Sequence, residues 1–192
     1  MVRDGRVVGE RYAEGYGVED LVTSWSVAKS IYSAAIGIAI DEGHIESLDQ
    51  KASGFFDEWL GTNKEDITIR NLLEMRAGFA NANVFVQADQ TQFSLDQPLI
   101  NEPGSTFLYS NNSSQRFEPL LLRATGMNAH LWLTDRILTP IGIDETAIGL
   151  WLDPAGVNPL TYCCIDMRTD DFARIGVLFA NGGTWDGETL IS

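Results

Sequence analysis

Ser26 and Lys29 stand three residues apart, in the tetrad Ser26-Val27-Ala28-Lys29, at the head of a long apolar run. On a helix that spacing puts a hydroxyl and an ammonium on one face, within reach of each other. A serine hydroxyl is a weak nucleophile near neutrality and needs a neighbour that takes its proton. A lysine in an apolar setting has its charged form disfavoured and becomes such a neighbour. Lys29 fits, because no other charged side chain stands between Asp20 and Asp41. A helix N-terminus adds partial positive charge and free backbone N–H groups where an oxyanion would develop. The same tetrad is also compatible with a lysine whose stem lies on the surface and whose ammonium reaches water.

Tyr109-Ser110-Asn111 is the second candidate. A tyrosine beside a lysine has its phenolate stabilised and can move protons at neutral pH. An asparagine two residues on can donate to a carbonyl and accept from an ammonium. The alternative is a turn tyrosine followed by an Asx-type cap on the next helix.

These groups need elements to hold them. Residues 26–42, closed by Gly43, predict a helix whose entry hydroxyls are Thr23, Ser24 and Ser26. Ile31, Ala34, Ala35, Ile38 and Ala39 form one apolar stripe, and Ile36 and Ile40 cover much of the rest, so this helix is buried on most sides. Asp4-Gly5 predicts a hairpin turn with residues 6–12 as its second strand. Residues 68–75 read as a short helix ending near Gly78, and 81–97 as a long polar loop. A helix over 113–125 stops at Gly126, and Pro119 inside it implies a kink or a late start. Another helix covers 128–138 up to Pro140, and Thr169-Asp170-Asp171 caps a last one over 172–180.

The 192 residues fit one domain or part of a larger one, and 44% hydrophobic with 21% charged residues exclude a disordered tail and a membrane protein. The Ser26 helix lies at the lower length limit of a membrane span, and Lys29 and its hydroxyl residues argue against one. With 13 basic against 27 acidic residues the net charge is −14, a surface that repels phosphate backbones and anionic headgroups. No nucleic-acid or membrane partner is therefore expected. Cys163 and Cys164 are adjacent, and neighbouring cysteines rarely pair, so they read as small buried hydrophobes without a disulfide. His44 and His130 read as surface or capping residues, and no H-E-x-x-H or C-x-x-C spacing indicates a metal. The five tryptophans read as core or rim residues, and Glu65-Asp66 and Asp170-Asp171 as solvated or capping charge. No basic stretch leads into an apolar run at the N-terminus. The chain is then cytoplasmic if its start is genuine, and periplasmic or secreted if that start is missing.

Taken together, Ser26-Val27-Ala28-Lys29 and Tyr109-Ser110-Asn111 resemble the serine β-lactamase and penicillin-binding-protein superfamily, in particular its class C-like branch. Trp25-Ser26-Val27-Ala28-Lys29-Ser30 is similar to the esterase and 6-aminohexanoate-oligomer hydrolase relatives within that branch. Ile67-Thr68-Ile69-Arg70-Asn71-Leu72-Leu73, Glu102-Pro103-Gly104-Ser105 and the stretch from Thr169 to Gly176 extend the resemblance along nearly the whole chain.

The resemblance implies an α+β, β-lactamase-like fold in which a helical region lies against an antiparallel sheet. Residues 1–50 would begin the α/β part with the nucleophile helix, and 51–192 would be mostly helical. Ser26 would be the nucleophile, Lys29 its base or proton partner, and Tyr109 the proton shuttle toward the leaving group. Asn111 would hold Lys29 and the substrate carbonyl. The implied reaction is cleavage of a small ester or amide (a β-lactam, D-amino peptide or oligoamide) through an acyl-enzyme on Ser26, without metal or cofactor. A penicillin-recognising sensor or an inactive homologue is the alternative. The family's third motif, a K-T-G or H-x-G triplet, is absent from the sequence. The C-terminal strands that would carry it and a second oxyanion donor are expected to be missing, leaving the isolated chain weakly active or inactive.

Overall fold

The computed structural model describes all 192 residues, Met1–Ser192. Its centre is α1 (Val27–Asp41), which enters at Ser26 and leaves at Glu42, within a residue of the bounds read from the sequence. Ala28, Ile31, Tyr32, Ala35, Ile36, Ile38 and Ala39 are all buried, so the helix meets protein around most of its circumference. A buried isoleucine contributes roughly 1.5–3 kcal/mol relative to an exposed one, and α1 supplies several. The entry hydroxyls do not cap it. Ser24 instead joins the neighbouring strand, accepting from the Ile165 N–H and donating through its own N–H to the Ile165 carbonyl.

That strand belongs to a small antiparallel sheet of β3 (Leu21–Thr23), β5 (Ile165–Arg168) and β4 (Gly149–Leu150), with β5 in the middle. Val22 faces Met167 and Leu150 faces Ile165 across it. Along β5, Ile165 and Met167 are buried while Asp166 and Arg168 are half-buried, the two-residue alternation of a sheet with one covered face. β1 (Val2–Arg3) and β2 (Arg6–Val7) form the hairpin around Asp4-Gly5, with a second strand much shorter than 6–12. A third sheet, of two strands, pairs β6 (Thr184–Trp185) with β7 (Glu188–Thr189).

Around α1 pack α5 (Phe117–Thr125), α6 (Ala129–Leu133) and α7 (Thr169–Ala180), whose Leu120, Leu121, Leu133 and Leu178 share one core cluster with it. Trp132 donates its indole N–H to the Ala35 carbonyl, fixing α6 against the middle of α1. The helix foreseen over 113–125 is split into α4 (Asn111–Gln115) and α5, with the break at Arg116. Pro119 thereby falls in the first turn of α5, where a missing N–H costs little. Gly126 ends α5 in the left-handed conformation, at φ +78°. The 128–138 helix is α6 followed by a π-helical turn over Thr134–Leu138.

α2 (Ile69–Leu73) starts from a reciprocal capping box between Thr68 and Asn71. The polar stretch 81–97 is not a loop throughout. It contains a short 3-10 turn and then α3 (Gln90–Asp96), capped by Asp89, whose carboxylate accepts from the Gln92 N–H. No helix is long and apolar enough to cross a membrane.

Candidate active site

β3 runs into α1 through Ser24-Trp25-Ser26, and Trp25 turns the chain there at φ +45°. A non-glycine residue in that left-handed region costs about 1–2 kcal/mol, strain stored immediately before the candidate nucleophile. Ser26 is the N-cap of α1, but its hydroxyl makes no capping bond and is free for other partners. Lys29 lies one turn on and donates from Nζ to Ser26 Oγ at 3.1 Å. It also donates to the backbone carbonyl of Tyr162 at 2.6 Å. From the other side the Tyr109 hydroxyl donates to Ser26 Oγ at 2.7 Å. Lys29 Nζ lies 5.1 Å from the centre of the Tyr109 ring and 5.7 Å from that of Tyr162. Ser26, Lys29 and Tyr109, singled out from two motifs about eighty residues apart, meet at one hydroxyl.

Each group is held by its own element. The Tyr109 carbonyl accepts from the Asn81 side chain, and Ser110 caps α4 directly behind it. Lys29 is only 6% exposed whereas Tyr109 is 47% exposed, so the site opens on the tyrosine side and closes on the lysine side. Burial pulls the Lys29 pKa below its ordinary value, and the hydrogen bond and charge interaction with Tyr109 offset part of that. For Tyr109 burial acts upward, but the hydrogen bonds with Ser26 and Lys29 and the lysine charge prevail and bring its pKa down. The shifts bring a lysine toward neutrality and a tyrosine toward ionisation, an arrangement suited to passing a proton among three groups. The Ser26 backbone N–H is engaged by no other group of the chain. It stands at the α1 N-terminus, ready to donate to an oxyanion.

Asn111 departs from its expected place. It opens α4, half-buried, and makes no hydrogen bond to Lys29. Beside Ser26, the acceptor on the lysine is the Tyr162 carbonyl, a backbone atom that no side-chain pattern could have disclosed.

Cys163 and Cys164 also differ from expectation. Both are buried, as read from the sequence, but they form a disulfide with each other. The strap that carries them is bonded at Tyr162 by Lys29 and at Ile165 by Ser24, and both side chains lie in one small apolar cluster with Val84 and Leu160. His130 is no surface residue. It is buried against Tyr32, with ring centres 6.3 Å apart. Trp59 and Trp132 are core residues, while Trp25 and Trp151 are exposed.

Residues 1–159 match the family model described as "Beta-lactamase". Among solved structures, a protein of Bacteroides dorei DSM 17855 described as a β-lactamase superposes with a TM-score of 0.82 at 18% identity, over 100% of this chain and 59% of that one. A protein of Bacillus anthracis described as a 6-aminohexanoate-dimer hydrolase gives 0.78 at 20% identity, over 99% of this chain and 55% of that one. A penicillin-binding protein homologue from Caulobacter crescentus gives 0.73 at 18% identity, over 92% and 60%. The chain thus spans somewhat more than half the length of these three proteins, and at such identities the likeness establishes the fold alone.

Proposed function

The chain belongs to the β-lactamase family, and from that premise we propose that it is a serine hydrolase that cleaves a carboxylic ester or amide through an acyl-enzyme on Ser26. The observation that carries this reading is the convergence of Lys29 Nζ and the Tyr109 hydroxyl on Ser26 Oγ, at 3.1 and 2.7 Å. In the first step Oγ attacks the substrate carbonyl carbon while its proton passes to neutral Lys29, whose lowered pKa makes that form accessible. The carbonyl oxygen gains negative charge, which the Ser26 N–H at the head of α1 stabilises. As the tetrahedral adduct collapses, the bond to the leaving alkoxide or amine breaks, and that group takes a proton through Tyr109. Water then attacks the Ser26 ester by the reverse sequence, releasing the acid and restoring the serine hydroxyl.

The descriptions of the two relatives, a 6-aminohexanoate-dimer hydrolase and a β-lactamase, are compatible with this reading, although one fold can carry many activities. The test is p-nitrophenyl acetate hydrolysis by the chain and by Ser26→Ala. A burst of one nitrophenolate per chain, absent from the variant, is the expected result. A burst of equal size from the variant would reject Ser26 as nucleophile.

A further inference from the structure

The segment from Pro159 to Ile165 bonds the candidate site through the Tyr162 carbonyl, which accepts from Lys29. What fixes that carbonyl is a buried polar frame on α4. Gln115, the last residue of α4, is 0% exposed, and every hydrogen-bonding direction of its amide except one oxygen lone pair is used. Its Oε1 accepts from the Thr161 N–H at 3.2 Å, and its Nε2 donates to the Pro159 carbonyl at 2.8 Å and to Thr91 Oγ1 at 3.0 Å. Thr161, likewise 0% exposed, donates its hydroxyl to the Ser114 carbonyl at 2.6 Å. The Tyr162 hydroxyl donates to Gln90 Oε1 at 2.8 Å, which holds the far end of the same residue.

The α4 helix therefore has two attachments. Its N-terminus follows directly on Tyr109, and its last two residues grip the stretch just before the Tyr162 carbonyl. Buried amide hydrogen bonds each add only modest net stability, and deleting one partner leaves the others unpaired at a further cost. Their distinctive property is direction. We propose that Gln115, with Thr161, is a positioning residue that locks the Lys29 acceptor at a fixed distance from Tyr109, so that Nζ stays on the Ser26 hydroxyl. This inference rests on Ser26 being the nucleophile. Displacing a reacting group by about 1 Å typically costs up to about a hundredfold in rate. Moving the carbonyl away also removes an acceptor that favours the lysine ammonium.

The experiment compares the chain with Gln115→Met, Thr161→Val and Thr161→Ser. Two readouts are taken: the rate constant and saturation constant for Ser26 acylation by p-nitrophenyl acetate, and the pH dependence of Lys29 acetylation by acetic anhydride, followed by peptide mass spectrometry. Q115M and T161V are expected to slow acylation roughly tenfold to a hundredfold at unchanged saturation constant. Both should move Lys29 titration to lower pH, and T161S should restore both properties. Lys29 titration that is unchanged or raised in variants with the parent near-ultraviolet circular dichroism would overturn the proposal. So would failure of both Q115M and T161V to fold, which would assign the two residues to folding alone. If Lys29 titration moves as stated while no form acylates on Ser26, the positioning role stands and the nucleophile assignment fails.

Discussion

Glu118 and His130 are buried ionisable groups whose opposing titrations should be separable by mutation. Glu118 is 3% exposed in the first turn of α5, and its Oε2 accepts from the Ala129 N–H at the start of α6 at 2.8 Å. Burial pushes its carboxyl up from 4.5 to about 7, with the Ala129 bond acting the other way. His130 is 8% exposed, and burial pulls it down from 6.5 to about 4 against an opposing backbone contact at Leu160. Because Glu118 has a raised pKa in the folded state, its stabilising effect is complete below pH 4.5 and is lost as pH rises through about 7. His130 has a lowered pKa, so its effect is complete above pH 6.5 and is lost as pH falls through about 4. Each separation corresponds to about 3 kcal/mol, and between pH 4.5 and 6.5 the two slopes cancel. Glu118→Gln keeps an acceptor for Ala129 while removing the titration. Relative to the parent it should gain about 3 kcal/mol in urea unfolding, followed by tryptophan fluorescence, between roughly pH 4.5 and 7.5. His130→Phe should gain a similar amount as pH falls from roughly 6.5 to 4. A stability difference between E118Q and the parent that is flat across this range would refute the buried, protonated Glu118.

Ser26→Ala and Lys29→Ala should each remove nearly all acylation, with the double variant little worse, because residues acting as one unit are non-additive; fully additive, modest losses in burst kinetics would separate the pair. Arg116 is fully buried, stacked on the Phe79 ring and bonded to the Ser94 carbonyl, with Nε and Nη1 unpaired. Burial holds its pKa well below the guanidinium range, so Arg116→Met should be neutral or raise stability by about 1–4 kcal/mol in thermal unfolding. Gly78 has φ +84°, and a Cβ there would stand 2.2 Å from the Asn101 carbonyl oxygen, so Gly78→Ala should destabilise by about 3 kcal/mol or more, seen as a lower urea midpoint.

The parts legible in the sequence were those whose signal is local. α1 announced itself by an apolar stripe between a serine-rich entry and Gly43, and the hairpin by Asp4-Gly5. The pairing of Ser26 with Lys29 followed from helical spacing; the residue chemistry of Tyr109 left a turn tyrosine as the alternative, and its role came through the resemblance. What stayed hidden depends on contacts distant along the chain. In α3 the Gln90 side chain accepts from the buried Tyr162 hydroxyl and the Ser94 hydroxyl turns back onto the Thr91 carbonyl, so no apolar period marked it, although Asp89 three residues before Gln92 is a capping signal that could have found it. β3 and β5 are only three and four residues long and gain their order from each other. The Tyr162 carbonyl and the Gln115 frame are backbone and amide geometry, to which side-chain type is nearly blind. The rule that adjacent cysteines seldom pair failed at Cys163–Cys164, and no side-chain pattern in the sequence marks that exception.

The most direct test of Ser26 as the nucleophile is peptide mass mapping of the chain quenched in acid within seconds of mixing with p-nitrophenyl acetate. An acetyl group on the peptide that contains Ser26, located to that residue by fragmentation and absent from both Ser26→Ala and Lys29→Ala, is the predicted result. Acetylation found only on other residues, or equally in Lys29→Ala, would contradict the assignment of Ser26 as a lysine-activated nucleophile.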